Sequence, residues 1–256
     1  MKPIHAEQSA DVLIRFSRIS FQHSGFSRAV IAMSGGVDSS TSAALAVRAL
    51  GNENVYPLLL PYGNLNHQGD ADTRLVISSL GIPGRNISII DIQPFVDPII
   101  FLDPSMDKIR RGNVMARVRM ILLYDQAKKR NALVVGTENK TEHLLGYFTR
   151  FGDEASDIEP LRNLYKTRVR LLARELGLPE RIISKAPTAG LWEAQTDEGE
   201  FGFTYKEADE ILSMIVDGKK SVDEVIVKGY DQATVGKVVG RMKKNDFKHH
   251  LPIVPS

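Results

Sequence analysis

The sequence predicts a single α/β domain built on a parallel sheet with helices on both faces. Two patterns and one bound carry that prediction. Apolar segments rich in β-branched residues recur at Ala29–Met33, Val55–Leu60, Ile87–Asp91 and Leu133–Gly136, each short enough to be a buried strand. Helical patterns separate them at Thr41–Leu50, Asp70–Leu80 and Arg111–Arg130. Strands alternating with helices imply right-handed crossovers and a covered parallel sheet. At 256 residues and 43% apolar, the chain can bury one full core.

Taken in order, the elements read as follows. The first twenty-odd residues suit an amphipathic helix with Val12, Leu13, Phe16 and Ile19 on one side. The first strand then runs through a Gly-Gly turn into an Ala/Leu-rich helix. In the long helix, Val114, Val118, Ile121, Leu122 and Asp125 trace one face, while Arg117 and Lys128 fall elsewhere. Beyond Gly136 the pattern becomes helical and loopy. Lys166–Leu176 reads as a short helix stopped by Gly177-Leu178-Pro179, a helix-ending arrangement of Gly then Pro. Lys185–Thr204 mixes Pro, Gly, Thr and acidic residues without periodicity, so a mobile loop is expected. Two or three helices and a basic tail, Lys243–Ser256, complete the chain. With no internal repeat or linker, residues 1–256 read as one domain. Ligands of such sheets bind beyond the carboxyl ends of the strands, so Asp38, Pro61-Tyr62 and Gly136-Thr137 should face one cleft.

Composition narrows the chemistry. Charged residues make up 25% and the net charge is only +2, which suits polyanionic small molecules and falls short of a nucleic-acid binder. Met1–Ala10 lacks the apolar core of a signal peptide, and no apolar run approaches the roughly 18 residues of a membrane span. A cytoplasmic protein without membrane contact is expected. The chain has no cysteine. Disulfides, thiolate zinc sites and iron–sulfur ligation are therefore excluded, as is a thiol nucleophile for releasing ammonia from glutamine. The six histidines show no H-x-x-x-H spacing, which argues against a histidine-built metal site.

The run Ala32, Met33, Ser34, Gly35, Gly36, Val37, Asp38, Ser39 is the most informative stretch. A strand feeding a glycine-rich turn into a helix aims backbone N–H groups and the positive helix end at one spot. Two glycines let the backbone approach a phosphate closely. The serines add hydroxyl donors, and Asp38 can hold a hard cation against phosphate oxygens. Neither G-x-x-x-x-G-K-[ST] nor G-x-G-x-x-G is present. The run resembles the S-G-G-x-D-S loop of the ATP pyrophosphatases, whose sheet is Rossmann-like, of the adenine nucleotide alpha hydrolase type, and which release AMP and pyrophosphate.

By itself the loop leaves open synthetases for amides, guanylate, argininosuccinate, NAD or modified tRNA. The downstream segments Gly112–Met120, Gly136–Glu142, Gly146–Pro160 and Leu164–Glu198 resemble, in that order, the ammonia-dependent NAD synthetases. That resemblance implies amidation of nicotinic acid adenine dinucleotide (deamido-NAD) by ammonia, through an acyl adenylate, with ATP and Mg²⁺. It implies a homodimer, with the dinucleotide near the subunit interface, and no glutaminase domain. Asp38, Glu142 and Lys166 are implied as catalytic residues, with Asp38 and Glu142 holding the metal. Residues 32–39, Thr137, Lys166 and Thr188 are implied for ATP; Arg117, Arg150, Asp157, Phe247 and Lys248 are implied for the dinucleotide. Three positions depart from the usual pattern. Arg150 stands where many relatives carry Lys, Phe247 replaces a His, and Leu59 takes the place of an Arg found in several relatives. Shielding the adenylate from water gives the Lys185–Thr204 loop the role of a lid. A guanylate-synthetase-like amidating enzyme is the alternative within enzymes. A non-catalytic nucleotide binder is the other, although it has no need of both metal carboxylates.

Overall fold

The computed structural model describes residues 6–65 and 67–250. Helix α1 (Ala6–His23) leads into strand β1 (Ala29–Ala32), α2 (Val37–Leu50), β2 (Val55–Leu59), α3 (His67–Ser79), β3 (Ser88–Ile89), α4 (Gln93–Ile100), α5 (Lys108–Arg130) and β4 (Leu133–Val134). The four strands are parallel, in the order β3-β2-β1-β4. Side chains alternate across this sheet as a period of two requires. Ala29, Ile31 and Leu59 enter a core shared with α2 and the later helix over 166–175, whereas Val30, Leu58 and Val134 enter one shared with α4 and α5.

The outer strands are shorter than the apolar segments suggested. At β3 the backbone pairing continues, Ile90 N–H to the Leu59 carbonyl (3.0 Å) and Ile92 N–H to the Pro61 carbonyl (2.8 Å), but the edge has a partner on one side only. Next to β4, Val135 bridges Ile158 in parallel, so a segment that reads as loop extends the sheet.

Two predicted helix faces are turned. On α1, Val12, Phe16 and Ile19 are exposed, and the packed stripe is Ala10, Leu13, Ile14, Ser17 and Phe21. Apolar residues occupy both stripes at helical spacing, so periodicity alone could not choose between them. On α5, Ile121 is 60% exposed and Asp125 is exposed, while Gly112, Met115, Ala116, Val118, Leu123 and Ala127 are buried. Small residues on that face let α5 approach the sheet and the 185–204 segment together.

The second half adds α6 (Lys140–Leu145), α7 (Lys166–Glu175), α8 (Glu180–Ile183), α9 (Asp197–Phe201), α10 (Tyr205–Leu212), α11 (Val222–Val227) and α12 (Gln232–Asn245). Helix α7 ends where Gly177 (φ +77°) turns the chain. Helices α6 and α9–α12 enclose their own apolar core around Leu145, Phe201, Tyr205, Ile211 and Val238. The Lys185–Thr204 segment, expected to be a mobile loop, contains α9, and buried Asp197 and Gln195 accept the N–H groups of Ala189 (3.1 Å) and Leu191 (2.7 Å). Of the predicted basic tail, residues 251–256 lie outside the described residues. Among the described residues no helix is long and apolar enough to cross a membrane.

Candidate active site

A cleft of about 670 Å³ opens at the carboxyl ends of β1, β2 and β4, and Asp38, Pro61, Tyr62, Gly136 and Thr137 all line it. One bank is the β1–α2 turn. Gly35 has φ +75°, and a Cβ there would lie 2.5 Å from the Gly69 carbonyl oxygen. Only glycine combines that backbone angle with that approach of α3. Gly36 is the N-cap of α2 and supplies no side-chain cap. The first N–H groups of a fourteen-residue helix therefore point into the cleft with the positive end of its dipole. The Ser34 and Ser39 hydroxyls lie 3.2 Å apart, and Ser34 Oγ accepts the Gly36 N–H (3.3 Å).

The opposite bank is helical. Lys166 is 3% exposed; its ammonium donates to Asp38 Oδ2 and to Glu142 Oε1, the latter at 3.1 Å. Burial by itself would lower the lysine's pKa, but Asp38 and Glu142 outweigh it and hold the ammonium above its usual range. Burial pushes the Glu142 carboxyl up, against the pull of Lys166. One amide aligns both acids: Asn139 Nδ2 donates to Asp38 Oδ1 (3.0 Å), while its Oδ1 accepts the Glu142 N–H (3.0 Å) as the N-cap of α6. The start of α7, at Lys166 itself, is capped from elsewhere. Thr141 Oγ1 accepts the Lys166 N–H (3.0 Å), and buried Asp209 accepts the Thr167 N–H (2.8 Å). Tyr205 donates its hydroxyl to Asp197 (2.9 Å), with Glu142 Oε1 3.3 Å away.

Thr137, Thr188 and Lys248 also line the cleft. Lys248 donates to the Gly146 and Phe148 carbonyls at 2.7 Å each. The other residues expected around the dinucleotide are not among its walls. Arg117 is exposed and donates to the Arg150 carbonyl (3.1 Å); Arg150 in turn donates to the His250 carbonyl and lies over the Phe151 ring. Asp157 accepts the Val134 N–H (2.7 Å), closing the edge of β4, and Phe247 is exposed. Leu59 is buried in the α2-side core, so that side chain faces away from the cleft.

Sequence reasoning missed several cleft residues. Ala116, Arg119, Met120 and Leu123 line it from α5, at the i, i+3, i+4, i+7 spacing of one face. Arg119 Nε donates to the Leu60 carbonyl (3.1 Å), and burial pulls its pKa down to about 10. Arg241 reaches the cleft from α12, over the rings of Tyr147 and Phe201. Asn139 was legible as the N-x-x-E of a capping box; Arg241 and Asp209 had no local signal.

The family model described as NAD synthase matches residues 10–252. The chain belongs to that family. Within the NAD synthase family it is 44% identical to the NH(3)-dependent NAD(+) synthetase of Thermococcus kodakarensis over 257 residues, 100% of this chain and 99% of that one. Among solved structures it is similar to an NMN synthetase of Francisella tularensis (TM-score 0.86, 34% identity, 99% of each chain). It is also similar to an NH3-dependent NAD synthetase of Campylobacter jejuni (TM-score 0.83, 32% identity, 99% of this chain and 100% of that one). As a member of the NAD synthase family the chain is an enzyme, a ligase of NAD biosynthesis.

Proposed function

We propose that the cleft amidates deamido-NAD with ammonia at the expense of ATP, giving NAD, AMP and pyrophosphate. The observation that carries this reading is Lys166, buried between Asp38 and Glu142 and facing the glycine turn. A carboxylate is a poor electrophile, so its oxygen first attacks the α-phosphorus of ATP, and pyrophosphate leaves with the electron pair of the broken bond. Ammonia then attacks the acyl carbon and AMP leaves. The turn's N–H groups suit the departing pyrophosphate, and Lys166 is the cation placed to meet its charge. Thr137 and Thr188 suit hydrogen bonds to ATP.

Asp38 and Glu142 are two hard oxygen donors, and no group of three or more His, Cys, Asp or Glu able to hold a metal occurs among the described residues. That donor set fits Mg²⁺, which is commonly held by one or two carboxylates together with substrate phosphates. Bound there, Mg²⁺ would neutralise phosphate charge. Arg117 and Arg150 lie outside the cleft, Arg150 over the exposed Phe151 ring, with Ile121 exposed one helical turn on from Arg117. This arrangement supports a dinucleotide bound against a surface completed by a second copy of the chain. The Francisella likeness favours a second reading, in which the acid substrate is nicotinate mononucleotide.

The deciding assay supplies purified protein with ATP, Mg²⁺ and either deamido-NAD, nicotinate mononucleotide or xanthylate, using ammonium or glutamine. Deamido-NAD with ammonium should give the highest kcat/KM, measured as AMP. Glutamine should be inert, since the 256 residues include no cysteine. A preference for the mononucleotide selects the second reading, and a preference for xanthylate rejects both.

A further inference from the structure

A second cation besides Lys166 lines the cleft, tethered to the helix behind the glycine turn. Helix α3 presses on that turn: a Cβ on Gly35 would lie 3.0 Å from Asp72 Cβ as well as against Gly69. Asp72 is buried directly behind the turn, with its side chain 2% exposed. Its Oδ2 accepts Lys185 Nζ at 2.7 Å, its Oδ1 accepts Gln68 Nε2 at 3.0 Å, and Arg181 Nε forms an ion pair with Oδ1 at 3.0 Å. One carboxylate thus serves two cations. Arg181 is mostly exposed, whereas Lys185 lines the cleft alongside Ser34 and Gly36. Asp70 lines this bank too. Lys166 already shares its ammonium between Asp38 of α2 and Glu142 of α6. A triphosphate lying along the turn therefore needs positive charge on the near bank, and Lys185 is placed to give it.

We propose that Lys185 is a second phosphate-binding cation of the cleft and that Asp72 is the positioning residue that aims it. The proposal rests on the reading of the cleft as an ATP site. When the α-phosphorus gains the substrate carboxylate oxygen, the bond to the β-phosphate oxygen breaks and its electron pair stays on pyrophosphate. Lys185 meets the charge left there, and its proton stays on the ammonium. Burial opposes ionisation of Asp72, yet Lys185, Gln68 and Arg181 hold its carboxyl below the usual range, so it remains a fixed anionic tether.

The test uses the full chain with Lys185→Met, Lys185→Arg, Asp72→Asn and the double variant Asp72→Asn/Lys185→Met. Steady-state constants for both substrates are measured together with product inhibition by pyrophosphate. Lys185→Met should raise the KM for ATP and weaken pyrophosphate inhibition by about ten- to a hundredfold, while the KM for the acid substrate stays unchanged. Lys185→Arg should recover most of the loss. Asp72→Asn should shift the same two constants in the same direction by a smaller factor, and the double variant should be no worse than Lys185→Met alone, because the tether acts only through the lysine. A purely structural bridge predicts a lower melting temperature with both KM values moving together, and no rescue by arginine; that result overturns the proposal. If Asp72→Asn does not fold, the Lys185 pair decides between the same two outcomes. Wild-type protein that makes no AMP with any acceptor defeats the ATP reading instead. Normal wild-type turnover with unchanged ATP and pyrophosphate constants in Lys185→Met defeats only this inference.

Discussion

The two banks of the cleft are built by different means. The β1–α2 bank offers backbone N–H groups and short hydroxyls, and its shape follows from one left-handed glycine and one helix start. The α6–α7 bank offers the buried charges Glu142 and Lys166, which Asp38 meets from α2; Asn139 at the start of α6 bonds both acids, while Thr141 and Asp209 cap the Lys166 and Thr167 N–H groups at the start of α7. Backbone geometry is set once the chain turns. A buried polar network needs every partner, because an unpaired group in low dielectric costs more than the bond it lost was worth. The shape of the first bank should therefore depend on glycine, and the second should transmit damage from residues that never touch substrate.

The comparison breaks most sharply at Lys166. Lys166→Met leaves Asp38 and Glu142 facing each other without their shared cation. Adenylation, followed as AMP in a single turnover, should slow by about 10²-fold or more. Near-normal AMP formation would mean that the helical bank merely shapes the cleft.

On the other bank the matching change is Gly35→Ala. Its φ of +75° and the 2.5 Å approach to the Gly69 carbonyl oxygen penalise a side chain twice; the left-handed backbone alone costs about 1–2 kcal/mol. The expected outcome is a lower melting temperature and an ATP KM raised by roughly tenfold, in line with that cost. Gly36→Ala is the control. With φ −87° and a nearest contact of 3.3 Å to a serine hydroxyl, it should be much milder. Equal effects at the two glycines would show that the turn is not set by Gly35.

These two banks were also unequally legible in the sequence. A strand, two glycines and a helix start are local, so residues 32–39 could be placed in a cleft from the sequence alone. Glu142 and Lys166 were reached only through family resemblance, since a lone Glu or Lys on a helix reads as a solvated charge. Asp209 and Arg241 act from a separate apolar core, and no local pattern marks a contact between α10 and the start of α7. Arg117 and Arg119 show the same limit at close range. Two residues apart on α5, one faces solvent and the other the cleft, and only the helix rotation decides which. That rotation was misjudged because Ile121, an apolar residue on the exposed side, suggested the wrong stripe.

A subtler test of the helical bank is Tyr205→Phe. The hydroxyl joins Asp197 and Glu142 from within the second core, while Asp197 keeps Tyr147 and the Ala189 N–H. Losing one such bond among several should cost about 1 kcal/mol, seen as a several-fold fall in kcat with the KM for ATP unchanged. A change confined to the ATP KM would assign Tyr205 to the nucleotide and blur the division between the banks.

The smallest effect is expected where the banks meet, at Glu159. Its carboxylate lies against Gly136, where a Cβ would fall 2.0 Å from Oε1, and it accepts the Ser156 hydroxyl at 2.8 Å. Arg162 is shared between Glu138 (2.7 Å) and Glu159 (3.5 Å), one guanidinium for a buried and a partly buried acid. Burial pushes the Glu159 carboxyl up to about 7, well above its value in an unfolded chain. Between those two values the folded protein holds a proton that the unfolded chain has released, so stability falls as pH rises. The contribution is complete below the unfolded pKa and is lost as pH climbs through about 7. Glu159→Gln keeps an acceptor for Ser156 but cannot ionise, so urea midpoints at about pH 5 and about pH 8 should differ less in the variant than in the wild type. Glu138, which burial pushes up to about 8, acts with the same sign and should leave a residual slope. An undiminished fall in Glu159→Gln would place the whole pH dependence on Glu138 and free the junction of any titrating role.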